Sequence, residues 1–254
     1  MNNLHIHCTI RKPELREAAT LVFKTLRTGF PTANVFVYGN ALSAEDASYI
    51  KSFLDKGCSF KNVEFIMHDA WVEQLIKLST EPFWICDTDI VFFGSIEDFS
   101  IPKSEGLFGR FEPRFREEWT QTIHLERIHT AVMRIDPIIV RNEFRRHMCK
   151  IPEPWRNSGY FPFVQQTFVP LDSSIYFYDT CAGIYHAIGG KGFSKDENAY
   201  FEHLHCATYS DLVSKHLSCS NLQEVHKVIF ANPEMAKGLQ SSQNEYYSKQ
   251  AVKI

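Results

Sequence analysis

The chain has 254 residues, 44% of them hydrophobic and 22% charged, with a formal net charge of -3. That balance excludes intrinsic disorder and fibrous repeats, and the weak negative charge argues against a protein that grips nucleic acid through phosphate contacts. Seven cysteines, odd in number and without a CxxC pair, read as free thiols in a reducing cytoplasm. No stretch is apolar enough to span a bilayer and no secretory leader is expected at the N-terminus, so any membrane contact is peripheral.

In chain order, Leu4 to Ile10 reads as a strand. Pro13 opens a helix carrying Leu15, Ala18, Val22 and Leu26 at helical spacing. Ala33 to Tyr38 is a second strand, ended by Gly39-Asn40, and Ser43 with Glu45 and Asp46 marks a helix N-terminus. Val63 to Met67 is read as the third strand, and Trp71, Leu75 and Leu78 as the face of the next helix. Pro82 ends that run before a strand from Phe83 to Cys86. This β–α alternation predicts an α/β fold with a mostly parallel sheet, in which ligands bind beyond the carboxyl ends of the strands.

The second half is less regular. Gly106 to Phe111 and Ile128 to Ile135 read as strands, with a loop-rich stretch between them, and Pro137 to Met148 as a helix. A helix from Asp179 to Ile188 ends at Gly189-Gly190, Ala199 to Cys206 is strand-like, and short helices follow at Ser210 to Leu217 and Leu222 to Phe230. Arg141, Arg145 and Arg146 read as the solvated, dipole-compatible end of their helix.

The chemistry concentrates in Phe83-Trp84-Ile85-Cys86-Asp87-Thr88-Asp89-Ile90-Val91-Phe92-Phe93, where two carboxylates interrupt an apolar run. Ionised carboxylates in such surroundings need a counter-charge, and extended geometry puts residues i and i+2 on one side, so Asp87 and Asp89 can share a cation. Hard cations such as Mn²⁺ or Mg²⁺ take oxygen ligands and leave positions for substrate phosphates.

At these residues the sequence resembles the GT-A nucleotide-sugar glycosyltransferases, whose DxD motif follows an alternating nucleotide-binding half. The resemblance implies one GT-A-like domain over 1–232, with a Rossmann-like nucleotide-sugar half (1–100), a mixed α/β acceptor half (101–232) and a polar tail (233–254). It implies Asp89 as a metal ligand and Asp87 facing the ribose or sugar, with Thr9, Arg11, His68 and Asp69 near the nucleotide. The segment Tyr200-Phe201-Glu202-His203-Leu204-His205-Cys206 resembles the late strand that supplies a further metal ligand. His203 is the first choice and His205, on the same face, the second. Ile128-His129-Thr130-Ala131 resembles the strand under the acceptor cleft, with His129 and Thr130 as acceptor-binding residues, and Asp179 an acidic residue facing sugar or acceptor. An inverting reaction would use Asp179 as general base, ahead of Glu126; a retaining one needs no such base.

The expected donor is a nucleotide sugar, UDP-linked by preference. The acceptor is left open among a polysaccharide, a lipid-linked sugar, a protein and modified DNA. Two rival readings stand beside this one. Asp87-Thr88-Asp89-Ile90-Val91 also fits the motif of haloacid-dehalogenase-like phosphatases, with Asp87 as nucleophile, although no GDxxxD follows. Alternatively the chain is a non-enzymatic nucleotide- or metal-binding module, with zinc held among His203, His205, Cys206, His216 and Cys219.

Overall fold

A computed structural model describes residues 2–10, 13–101, 104–116, 122–147, 163–171 and 174–203; of residues 13–15, 17, 18 and 171 it describes the backbone alone. Arg11, His205, the other candidate zinc ligands after His203, both expected helices between Ser210 and Phe230, and the 233–254 tail lie outside the described residues.

The first half alternates as expected. It runs β1 (Asn3–Cys8), α1 (Pro13–Gly29), β2 (Asn34–Asn40), α2 (Ala44–Lys51), β3 (Cys58–Val63), α3 (His68–Leu78) and β4 (Phe83–Cys86). Ser43 caps α2, its hydroxyl accepting from the Asp46 N–H. After β4 come β5 (Ile90–Phe92), β6 (Leu107–Glu112), β7 (Phe115–Arg116), β8 (Thr122–His124), β9 (Arg127–Ile135) and α4 (Pro137–His147). The described chain continues with β10 (Thr167–Leu171), β11 (Ser174–Tyr178), α5 (Ala182–Ile188), β12 (Lys191–Gly192), α6 (Lys195–Asn198) and β13 (Phe201–His203).

Seven strands form the central sheet in the order β12-β6-β9-β4-β1-β2-β3, and only β9 runs against the rest. This is the mostly parallel α/β architecture expected from the alternation. The four residues of β4 are buried and split between two cores. Phe83 and Ile85 pack with Trp71, Val72 and Ile76 of α3, whereas Trp84 and Cys86 pack with Leu4, Ile6, Val22 and Leu26. Each large side chain so buried contributes roughly 1.5–3 kcal/mol, which makes β4 a firm support for whatever follows it.

The third strand is a correction. The apolar letters Phe65 and Met67, which suggest a strand at 63–67, are 57% and 51% exposed, and the strand is Cys58–Val63. It forms the sheet edge against β2, where alternate exposure erodes the hydrophobic signal. Leu78, expected on the buried face of α3, is exposed. The expected loop between β6 and β9 also holds β7 and β8, which join β10 and β11 in a second sheet of order β10-β11-β8-β7. Arg141 is tied into the fold, donating to the carbonyls of Ile76 and Ser79 (2.9 Å for the latter) at the end of α3.

The direction of β9 matters for function. Because it runs antiparallel to β4 and β6, its N-terminal residues Arg127 and His129 lie at the edge where β4 and β6 end. Gly109 permits this close approach. A Cβ there would sit 2.7 Å from the Val132 carbonyl oxygen and 2.8 Å from Ile128 Cγ2. The register shifts between Gly109 and Phe111, leaving Glu112 opposite Arg127.

Candidate active site

The site is assembled at the carboxyl ends of β1, β2 and β4. Asp87 directly follows β4 and its N–H donates to the Ala131 carbonyl (3.0 Å), so the ladder continues one residue past the strand. Asp87 thereby keeps the parity of Phe83 and Ile85 and faces α3, whose first residue His68 brings Nε2 to 3.6 Å from Asp87 Oδ1. Asp89 precedes β5, which α1 anchors: the Phe92 N–H donates to the Thr25 hydroxyl at 3.1 Å. Strand β13 pairs antiparallel with β5 and sets His203 opposite Ile90, with Nε2 3.1 Å from Asp89 Oδ1.

One donor atom from each of Asp87, Asp89 and His203 lies within 4.8 Å of the other two. Asp89 and His203 are buried and Asp87 is partly buried. Burial raises the Asp87 carboxyl above its ordinary range, a shift that His68 opposes and Asp89 reinforces. For His203 burial alone would lower the imidazole, but the Asp89 carboxylate outweighs it and the net shift is upward. Two adjacent carboxylates and the His203 imidazole form a donor set of the kind that holds a divalent cation. The mixture of oxygen and imidazole suits Mn²⁺ better than Mg²⁺. Asp87, Asp89 and His203 thus come together in space.

A second polar group adjoins the first. Arg127, with 6% of its side chain exposed, binds Glu112 Oε2 through Nε (2.7 Å) and Asp179 Oδ2 through Nη2 (2.7 Å). Its Nη1 reaches the Thr180 carbonyl at 3.3 Å. Burial opposes the charged guanidinium, but Asp179 and Glu112 outweigh it and hold its pKa above the ordinary arginine value. Asp179 Oδ1 accepts from Gln166 Nε2 (2.6 Å) and the Thr180 N–H (2.7 Å). The Gln166 N–H in turn donates to Asp69 Oδ2 at 2.9 Å. His129 joins the two groups. Its Nδ1 accepts from the Ala131 N–H (2.9 Å), Nε2 is 3.9 Å from Glu112 Oε2, and its ring centroid is 5.1 Å from that of His203.

The remaining expected residues are distributed as follows. Thr9 accepts a hydrogen bond from Asn40 Nδ2 (3.2 Å) at the same sheet edge, and Thr130 is buried. His68, Trp71 and His7 form a ring cluster beside Asp87, with His7 stacked on Trp71 at 5.0 Å. Asp179 precedes α5 but is not its cap. The cap is Cys181, in the left-handed region at φ 66°, whose thiol is pushed up to about 12 by burial. Glu126 is held by Arg114 (2.8 Å) and lies 3.7 Å from His186.

Sequence reasoning missed Glu112, Arg127 and Gln166. Arg127 opens an apolar strand, so the desolvation argument that singled out Asp87 and Asp89 applies to it equally. Gln166 carries no local signal.

No protein-family model and no curated protein sequence matches the chain. Solved structures similar to the chain include the bifunctional glycosyltransferase WbbM at 8% identity, covering 76% of this chain and 38% of that one (TM-score 0.45). The galactosyltransferase LgtC, solved with donor and acceptor sugar analogues, is 10% identical over 76% of this chain and 73% of that one (TM-score 0.42). Mouse xyloside xylosyltransferase 1 is 12% identical and covers 84% of this chain and 92% of that one (TM-score 0.43). The chain thus spans well under half the length of WbbM.

Proposed function

We propose that the chain is a metal-dependent glycosyltransferase that moves a sugar from a nucleoside-diphosphate sugar to a hydroxyl acceptor. The observation that carries this reading is the convergence of Asp87, Asp89 and His203 within 4.8 Å at the carboxyl ends of parallel strands. These three residues would hold Mn²⁺ or Mg²⁺, which when bound supplies a Lewis acid for the charge that grows on the departing diphosphate. UDP is the preferred nucleotide, and a reducing cytoplasm suits the free thiols of Cys8, Cys58, Cys86 and Cys181. No described helix is long and apolar enough to cross a membrane.

The chain's own groups divide the remaining work. Thr9 and the His7–His68–Trp71 ring cluster would border base and ribose, and His68, 3.6 Å from Asp87, would donate to a phosphate oxygen. Arg127 pairs with Asp179 and orients its carboxylate. Asp179 and His129 then face the acceptor side, where Asp179 takes the acceptor's hydroxyl hydrogen bond and directs its oxygen to the sugar. The imidazole from β13 distinguishes this arrangement from the phosphatase reading, in which Asp87 is a nucleophile.

A panel of nucleotide sugars incubated with the protein and Mn²⁺, read as nucleoside diphosphate release, tests the proposal. One donor is expected to be hydrolysed slowly, and Asp89→Ala to abolish that release. Turnover of a simple phosphate ester through Asp87, with every nucleotide sugar left intact, would replace the transferase with the phosphatase. Asp179→Asn is expected to keep donor hydrolysis and lose transfer.

A further inference from the structure

The central sheet ends at β3, and among the described residues no strand pairs with its outer side. The ladder with β2 shows which backbone groups face that side. The Val35 N–H donates to the Gly57 carbonyl (3.1 Å) and the Ala41 N–H to the Val63 carbonyl (2.9 Å), and the parallel register between them is uninterrupted. The odd-numbered residues from Gly57 to Val63 therefore bond to β2, while Phe60 and Asn62 turn both N–H and C=O outward. Cys58 turns out only its carbonyl, because its N–H donates to the Asp55 carbonyl at 3.1 Å.

Such an edge is a template for another strand unless something blunts it. β3 has no proline and no bulge, and Lys61 is its one charged residue. An antiparallel ladder between two copies of β3 joins outward-facing residues to outward-facing residues, so its register moves only in steps of two. With the twofold axis at Phe60, Phe60 exchanges both its bonds with Phe60 of the second copy, and the Asn62 N–H meets the Cys58 carbonyl. Lys61 then faces Ser59, and Lys56, exposed in the turn before β3, faces Glu64, exposed just after it. Symmetry makes that opposite-charge pair twice. One step in one direction would set Lys61 directly against Lys61 of the second copy, which is unfavourable. One step in the other would set Lys56 against Asn62 and leave Glu64 without a lysine. The charges around β3 thus select one self-complementary register.

We propose that β3 pairs antiparallel with β3 of a second copy of this chain, in the register centred on Phe60, to form a twofold dimer whose central sheet runs through both copies. Phe65 and Met67, exposed just past β3, then lie toward the 55–57 turn of the second copy and add apolar contact to the strand pairing. The two candidate active sites open in opposite directions, because the strands of the two copies run antiparallel. This inference is independent of the transferase reading.

The test is sedimentation velocity of the full chain over a range of concentrations, for wild type, Lys56→Glu, Glu64→Lys and the double exchange, each checked for an unchanged unfolding midpoint. Wild type is expected to form a dimer at low salt. Each single reversal sets like charges opposite each other at two places and should weaken dimerisation about tenfold. The double exchange restores opposite charges in reversed order and should return association close to wild type. The length of β3 separates Lys56 from Glu64 within one chain, so this rescue reports a contact between copies. The proposal is overturned if wild type is monomeric at every concentration, if both single reversals associate as wild type does, or if the double exchange fails to recover what the singles lose. A dimer that Phe168→Ser abolishes while the charge variants leave it intact would place the contact on the second sheet and overturn the assignment to β3. Hydrogen exchange gives a second readout. The Phe60 and Asn62 amides should become more protected as concentration rises, and protection that is the same in the monomer would assign the edge to another part of the chain and overturn the proposal as well.

Discussion

Two acidic clusters meet at His129 and solve the same electrostatic problem differently. In one, Glu112 and Asp179 share the buried guanidinium of Arg127, a cation that stays charged at any physiological pH. In the other, Asp87 and Asp89 face the imidazoles of His68 and His203, which carry positive charge only when protonated. The first cluster contains its own counter-charge and needs no further cation. In the second, burial raises the Asp87 carboxyl, and the group is a candidate to take its balancing charge from a bound cation. The contrast teaches that a buried carboxylate pair becomes a candidate metal site when the protein leaves the balancing cation to the ligand.

The largest effect expected from this contrast belongs to the self-neutralised cluster. Arg127→Met removes the buried cation shared by the partly buried carboxylates of Glu112 and Asp179 and is expected to cost about 3–5 kcal/mol in urea unfolding. A cost below about 1 kcal/mol would show that water already neutralises those carboxylates and would erase the distinction.

Acid sensitivity comes next, and a third buried group must be separated from both clusters. Burial lowers the His5 imidazole from 6.5 to about 4. Below pH 6.5 the unfolded chain takes up a proton that the folded chain refuses until about pH 4. The stability supplied by neutral His5 is therefore complete above pH 6.5 and is lost as the pH falls to about 4, roughly 2–4 kcal/mol in all. Urea unfolding of wild type and His5→Phe between pH 7 and pH 4 should show a slope smaller by up to one proton in the variant. Equal slopes would return the acid sensitivity to the clusters.

The smallest effect has the opposite sign to the first. Because the folded-state pKa of Asp87 is raised, its ionised form disfavours the metal-free fold at neutral pH. Asp87→Asn is expected to stabilise the metal-free protein, by less than about 1 kcal/mol, and to lose the added stability that Mn²⁺ gives wild type. Thermal unfolding with and without Mn²⁺ measures both. Destabilisation comparable with that of Arg127→Met would mean that both clusters are architectural.

Much of this contrast can be read from the linear sequence, and the part that cannot has a physical cause. Asp87 and Asp89 stand out because they interrupt a run buried on both faces, and β4 is legible for the same reason. His203 is legible only through resemblance, since its position depends on β13 pairing with β5 more than a hundred residues earlier in the chain. Edge strand β3 misleads because Phe65 and Met67 are apolar yet exposed, while the strand itself alternates with water. The second sheet needs four short strands brought together from 115 to 178, and β8 pairs in parallel with β11 across some fifty residues. No local period encodes such pairing. Arg127 is legible by the same rule, since a charged residue at the start of an apolar strand asks the same question as the Asp pair.

The central claim is that the second cluster waits for a cation that also holds a diphosphate. Isothermal titration of UDP, GDP and CDP into wild type and Asp89→Asn, each with Mn²⁺ and with chelator, tests it most directly. The account predicts that one nucleotide binds wild type in the presence of Mn²⁺. Affinity should fall by about a hundredfold or more when the metal is chelated or Asp89 is replaced. Equal affinity under all four conditions, or no binding of any nucleotide to metal-loaded wild type, would contradict it.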